Sequence, residues 1–134
     1  MDYRITNDPA ELPVAEVARL LRETYWAGQR PAEKIERSMR HSDCYGLRVG
    51  GEARLVGFAR VISDNATTYY LCDVVIDPAY RGRGLGTALL AHIESRPEYA
   101  GLRGFLFTRD AHGLYRKFGY EVIEGRAMAK PPKG

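Results

Sequence analysis

The chain has 134 residues, 45% of them hydrophobic and 28% charged, with a formal net charge of +3. That is the length of one compact domain whose core needs no metal or disulfide staple, and it is too apolar for a disordered chain. No apolar run approaches the roughly 20 residues that would span a bilayer, Met1-Asp2-Tyr3-Arg4 has no signal-peptide pattern, and Cys44 and Cys72 show no metal-ligand spacing with His41, His92 or His112. The expectation is a cytoplasmic protein with reduced, buried thiols, no metal and no membrane contact.

In chain order, residues 3–6 read as a short first strand. Val14, Val17, Ala18, Leu21 and Tyr25 recur at helical spacing, which predicts an amphipathic helix over 13–26 with Pro13 in its first turn. Pro31 opens a second helix, with Ala32, Ile35 and Met39 as its apolar stripe. From Cys44 the period changes to that of strands: 45–49 and 55–62 are joined across Gly50-Gly51, and Asp64-Asn65 turns the chain into a central strand over 67–76. A helix follows from the glycine-rich run, with Leu85, Ala88, Leu89 and Ile93 on its buried face, ending before Pro97. Residues 104–108 make another strand. Residues 111–118 make a short helix with Asp110 as N-cap and Gly119 as its left-handed terminator. A last strand or hairpin is expected over 120–128, then a disordered tail over 130–134, leaving 1–129 as one domain. This is an α/β (α+β) order of strands with interspersed helices.

The chemistry concentrates in Val74-Val75-Ile76-Asp77-Pro78-Ala79-Tyr80-Arg81-Gly82-Arg83-Gly84-Leu85-Gly86-Thr87, a strand, a proline turn, then glycines that open a helix. Glycines let backbone N–H groups approach a ligand, and a helix N-terminus carries partial positive charge, so the run suits a pyrophosphate. Two better-known phosphate loops do not match. Gly-Lys-Ser/Thr is absent, and Gly82-Gly84-Gly86 lacks the G-x-G-x-x-G spacing of a dinucleotide site. A glycine-rich turn that merely starts a helix is the structural alternative.

What the run resembles is the R/Q-x-x-G-x-G/A motif of the GNAT superfamily of acetyltransferases, carried here by Arg81, Gly84 and Gly86. Downstream, Ala111-His112-Gly113-Leu114-Tyr115-Arg116-Lys117-Phe118-Gly119-Tyr120 is similar to that family's second motif, a Tyr three residues before a Phe-Gly-Tyr/Phe close. The resemblance covers about residues 55–121. It implies a mixed central sheet of six or seven strands with about four helices, and acetyl-CoA as the donor of an acetyl group to a primary amine by direct attack. It also implies that Val74, Val75 and Ile76 pair their backbone with the coenzyme, that Arg81 to Thr87 hold its pyrophosphate, that His112 and Arg116 lie against it, and that Tyr115 is the general acid. A phenol with an unperturbed pKa of ~10 keeps its proton at neutral pH, as that role needs.

Asp73 is the first candidate for the base, because a carboxylate inside the apolar strand Leu71-Cys72-Asp73-Val74-Val75 is costly unless it borders a cavity or finds a partner. The family more often carries a Glu near this position. Asp64, or no side-chain base, are the alternatives, and pairing with an Arg is the structural one. Tyr25, Trp26, Arg30 and Tyr69 are the candidate acceptor-binding residues, an aromatic and cationic corner for a small amine bearing an aromatic or carboxylate group. Tyr69 and Tyr70 alternate along their strand, so only one of them can face it. The competing classes are a non-catalytic coenzyme A sensor or interaction module of the same fold, a protein N-acetyltransferase, and a nucleic-acid binder. A homodimer is compatible with the sequence, and nucleic acid is not an expected partner.

Overall fold

The computed structural model describes residues 2–51 and 54–133. Among them, one mixed sheet runs in the order β1 (Tyr3–Thr6), β2 (Asp43–Val49), β3 (Gly57–Ser63), β4 (Thr68–Ile76) and β5 (Arg103–Phe105). Neighbouring strands are antiparallel except for the parallel β4–β5 pair. Helices α1 (Val14–Leu21) and α2 (Ala32–Arg40) connect β1 to β2, α3 (Leu85–Glu94) makes the crossover that a parallel pair requires, and α4 (His112–Arg116) follows β5. The mixed α/β architecture and the four helices agree with expectation. The sheet has five strands among the described residues, not six or seven.

The shortfall lies at the C-terminus. Residues 120–128, expected as a strand or hairpin, have no ladder partner, and Val122, Ile123 and Met128 are exposed. Val122 and Ile123 are adjacent rather than alternating, and a turn from Arg126 N–H to Ile123 O with Gly125 at φ 72° interrupts the extended run. The strand expected over 104–108 is shortened as well: only Arg103–Phe105 pair with β4.

Strand alternation sorts side chains to two cores. Tyr45, Leu47, Ala59, Val61, Tyr69 and Leu71 pack under α3 with Leu85, Leu89 and Ile93, while Cys44 and Phe58 pack with Val17, Leu20, Leu21 and Ile35 of α1 and α2. Cross-strand partners share a face: Val61 opposes Leu71, and Phe58 opposes Val75. Between those pairs the register slips by one residue, and the parity of β4 reverses, so that Val75 joins the α1–α2 core while Val74 and Ile76 turn toward α3. This is a β-bulge at Asp73, which holds φ 55°.

The helix predicted over 13–26 stops at Leu21. Thr24 ends it, because its hydroxyl donates to Leu21 O at 2.7 Å and accepts from Ala27 N–H at 3.0 Å, drawing the backbone into turns. Residues 22–30 therefore form an irregular segment beside the sheet. The connection across Gly50 and Gly51 is wider than a tight hairpin, since β2 ends at Val49 and β3 begins at Gly57; part of it, residues 52 and 53, lies outside the described residues. In α4 the N-cap is Ala111, not Asp110, and Thr108 Oγ1 accepts the Ala111 N–H at 3.0 Å. Gly119 ends that helix at φ 90°, as expected.

Candidate active site

Two departures from a regular sheet open a cleft of about 830 Å3. The β4–β5 ladder ends at Tyr70 and Phe105, so β5 peels away toward Phe107 and Thr108, and the second half of β4 keeps its edge free on that side. The bulge then bends β4 beneath the gap. Val74, Val75 and Ile76 form the floor, Arg81 and Gly86 one end, Leu114 and Tyr115 a wall, and Tyr25, Trp26 and Arg30 the opposite corner. Residues from both sequence motifs and from the segment after α1 thus meet in one place.

At the end of the cleft that holds Arg81 and Gly86, Gly84 is the N-cap of α3 at φ 77° with no side-chain cap, and Gly82 holds the same φ. The N–H groups of Leu85, Gly86 and Thr87 have no acceptor among the described residues. Three open amides at the positive end of a ten-residue helix fit an anionic pyrophosphate, so these residues fit coenzyme A. A Cβ at Gly82 or Gly84 would touch nothing within 4 Å, so glycine is needed there for conformation rather than for space inside the protein. Leu85 is buried in the core and offers the cleft only its backbone. Arg81 Nε donates to Ile76 O at 3.0 Å, and the Arg83 guanidinium lies 5.2 Å from the Tyr80 ring centre. Gly82, Arg83, Gly84, Leu85 and Thr87 flank the cleft rather than line it, and His112 and Arg116 do not line it; Arg116 borders a separate depression with Gly119 and Tyr120.

Tyr115 lines the cleft from α4. Burial, helped by Tyr25 and Asp110, pushes its phenol up to about 12, so it keeps its proton throughout the neutral range. Its ring meets Tyr120 edge-on at 6.1 Å, and Tyr120 donates to Glu94 Oε2 at 2.7 Å, which ties α4 to the end of α3.

Tyr69 is a correction. It is 7% exposed on the α3 face, its hydroxyl donates to Glu94, and its ring stacks on Tyr99. Its strand neighbour Tyr70 is the one that lines the cleft. Alternation had left one of the two to choose, and only the packing of α3 decides which.

Asp73 lines the cleft as a heavily engaged carboxylate. Arg30 Nη1 and Arg60 Nε both donate to Oδ2, at 2.8 and 2.9 Å, and Trp26 Nε1 donates to Oδ1 at 3.0 Å. Burial raises its pKa, but the hydrogen bond from Arg30 and the charges of Arg60 and Arg30 outweigh that, and the net shift is downward. A carboxylate held this way is a poor proton acceptor. Asp64 is further from the role, since it caps the amides of Ala66, Thr67 and Thr68 in the β3–β4 turn and does not line the cleft. Cys72 faces the cleft with its thiol raised to about 11 by burial, which keeps it protonated and inert. Arg60 escaped the sequence reading. The signal for it is a charge inside the apolar strand Gly57-Phe58-Ala59-Arg60-Val61-Ile62, in a strand adjacent to the one that holds Asp73.

Among the described residues, no helix is long and apolar enough to cross a membrane. A GNAT-family acetyltransferase candidate of Xanthomonas campestris pv. campestris has a crystal structure that superposes with a TM-score of 0.90 at 37% identity, over 98% of this chain and 94% of that one. The acetyltransferase candidate FG08082 of Gibberella zeae is 34% identical over 136 residues, 87% of this chain and 77% of that protein. The uncharacterized N-acetyltransferase ycf52 of Porphyra purpurea is 32% identical over 110 residues, 78% of this chain but only 63% of that protein. The profile of the acetyltransferase (GNAT) family matches residues 14–120, which takes in the cleft, the open amides of α3 and Tyr115. The chain belongs to the GNAT family of acetyltransferases, and acetyl-CoA is its cofactor.

Proposed function

We propose that the protein is an N-acetyltransferase that moves the acetyl group of acetyl-CoA to a primary amine of a small molecule, with Tyr115 as general acid. The observation that carries this reading is the meeting, in one cleft, of the free β4 edge at Val74 to Ile76, the N-terminus of α3 and the protonated phenol of Tyr115. Acetyl-CoA supplies a thioester when bound. The amides of Leu85, Gly86 and Thr87 hold its anionic end, and the backbone of Val74 to Ile76 orients the rest along the strand. Attack by the amine nitrogen forms the C–N bond and breaks the C–S bond. Tyr115 gives its proton to the leaving sulfur and is reprotonated from solvent. The surplus ammonium proton leaves to water in the open cleft, because Asp73 is bound to two guanidinium groups.

Thiol release from acetyl-CoA with a panel of small primary amines tests this, using the native protein and Tyr115→Phe. The expected result is a kcat lower by about 10²–10⁴ in the variant, with coenzyme A affinity by calorimetry unchanged. A variant that turns over at the native rate would remove Tyr115 from the chemistry.

A further inference from the structure

We infer that the corner formed by Arg30, Arg60 and Trp26 is a carboxylate-binding subsite, so that the acceptor is an amine that also carries a carboxylate group. The inference rests on the acetyl-transfer reading above and adds the substrate class. Two guanidinium groups converge on a single carboxylate, Asp73, and that side chain is 3% exposed. The two guanidinium groups and Asp73 together carry one excess positive charge, within a cleft whose lining also includes Arg81, Glu23 and Asp110.

The donors are also unspent. Arg30 uses Nη1 on Asp73, and Arg60 uses Nε on Asp73 and Nη1 on Ser42 Oγ at 3.1 Å. Arg30 Nε and Nη2 and Arg60 Nη2 have no hydrogen-bond partner among the described residues, yet Arg96 Nε is the one buried side-chain nitrogen or oxygen there that lacks a partner. The spare nitrogens of Arg30 and Arg60 therefore reach open space, and both residues line the cleft. Arginine presents its N–H groups in a fixed planar fork that matches a carboxylate, and Asp73 holds both forks in place in advance of any ligand. In such a partly dry corner a charged acceptor gains more than it would in water.

Trp26 is the single tryptophan of the chain and donates to Asp73, so its fluorescence reports on this corner. The experiment titrates the protein, saturated with coenzyme A, with N-acetyl derivatives of glycine, β-alanine, 4-aminobutyrate and phenylalanine, each beside its neutral amide. In parallel, the free amino acids and their amides are compared as acceptors by thiol release. At least one acid should bind about 10- to 100-fold more tightly than its amide, the span of one or two charge-assisted hydrogen bonds, with the same preference in kcat/KM. Arg30→Gln should abolish the preference and Arg30→Lys should restore only part of it, with circular dichroism reporting that both variants are folded. Acid and amide binding within about threefold of each other in every pair, well under the tenfold of a single such bond, would overturn the subsite. If amides are acetylated without discrimination, the subsite falls and the transfer reading stands. Preferential binding of acids with no thiol release from either set would sink the transfer reading and leave the subsite.

Discussion

Replacing Asp73 by Asn isolates the charge at the centre of the corner formed by Arg30, Arg60 and Trp26. Asp73 sits at φ 55°, a left-handed conformation that Asn tolerates better than most side chains, so the bulge survives and only the carboxylate is lost. Deleting one partner of a buried ion pair costs about 3–5 kcal/mol, and since Arg30 and Arg60 retain 22% and 12% exposure and can recover some water, about 2–3 kcal/mol is expected here. With roughly 2.1 cal/mol/K of unfolding entropy per residue over 134 residues, Tm should fall by about 7–11 °C. Asp73→Ala should cost about 1 kcal/mol more, because it also loses tolerance of the positive φ. The charge part has a pH signature. Burial raises the Asp73 pKa, but its arginine partners lower it further, so the folded value lies below the unfolded one, near 3.8. The stabilisation is then fully present above the unfolded pKa and is lost as pH falls through the folded one. Thermal melts of native and Asn proteins from pH 7 down to pH 3 should show the gap widest at neutrality and narrowing below about pH 4. An Asn variant within about 0.5 kcal/mol of native at pH 7, or a gap that does not change with pH, would refute the ion-pair account.

Gly84→Val should weaken coenzyme A binding by about tenfold or more in calorimetry, because a β-branched residue at φ 77° distorts the opening of α3 and its free amides. Unchanged affinity would separate that loop from the coenzyme. Gly104→Ala would bring a Cβ to 2.7 Å from Tyr69 Cζ and 2.8 Å from Tyr120 Oη, an overpacking that should cost about 1–3 kcal/mol in urea unfolding. Gly113→Ala in α4, which meets nothing within 4 Å, is the control and should be neutral or stabilising. Burial lifts Tyr69 and Tyr115 to about 12, with the Glu94 hydrogen bond adding to the shift at Tyr69. Their contribution to stability is therefore complete below about pH 10 and lost as pH rises toward about 12, so the urea midpoint should fall between pH 8 and pH 11. A flat midpoint over that range would show that the phenols are not held in the protonated form.

Much of the glycine-rich end of the cleft was legible in the chain, because it depends on local features. Glycines at 82, 84 and 86, the apolar period of the following helix and the strand before them are all short-range patterns, and each appears where its spacing puts it. The corner around Asp73 was only half legible. Trp26 and Arg30 follow α1 in sequence, but Arg60 comes from β3, and its pairing with Asp73 exists only because the two strands are neighbours in the sheet. Asp73 was recognisable as a carboxylate in need of a partner, while its role as an anchor for two guanidinium groups needed both partners in space.

By itself, then, the sequence determined the order of the four helices and the first five strands, the glycine-rich turn and the tyrosine of the second motif, though not where α1 and β5 end or the expected last strand, since periodicity, backbone permissiveness and motif spacing act over a few residues. Tertiary structure alone decided that Tyr70 rather than Tyr69 faces the cleft and that β5 leaves β4 after three residues. Each of these turns on which face α3 covers and where a ladder ends. Such contacts join residues tens of positions apart, and no local pattern encodes them.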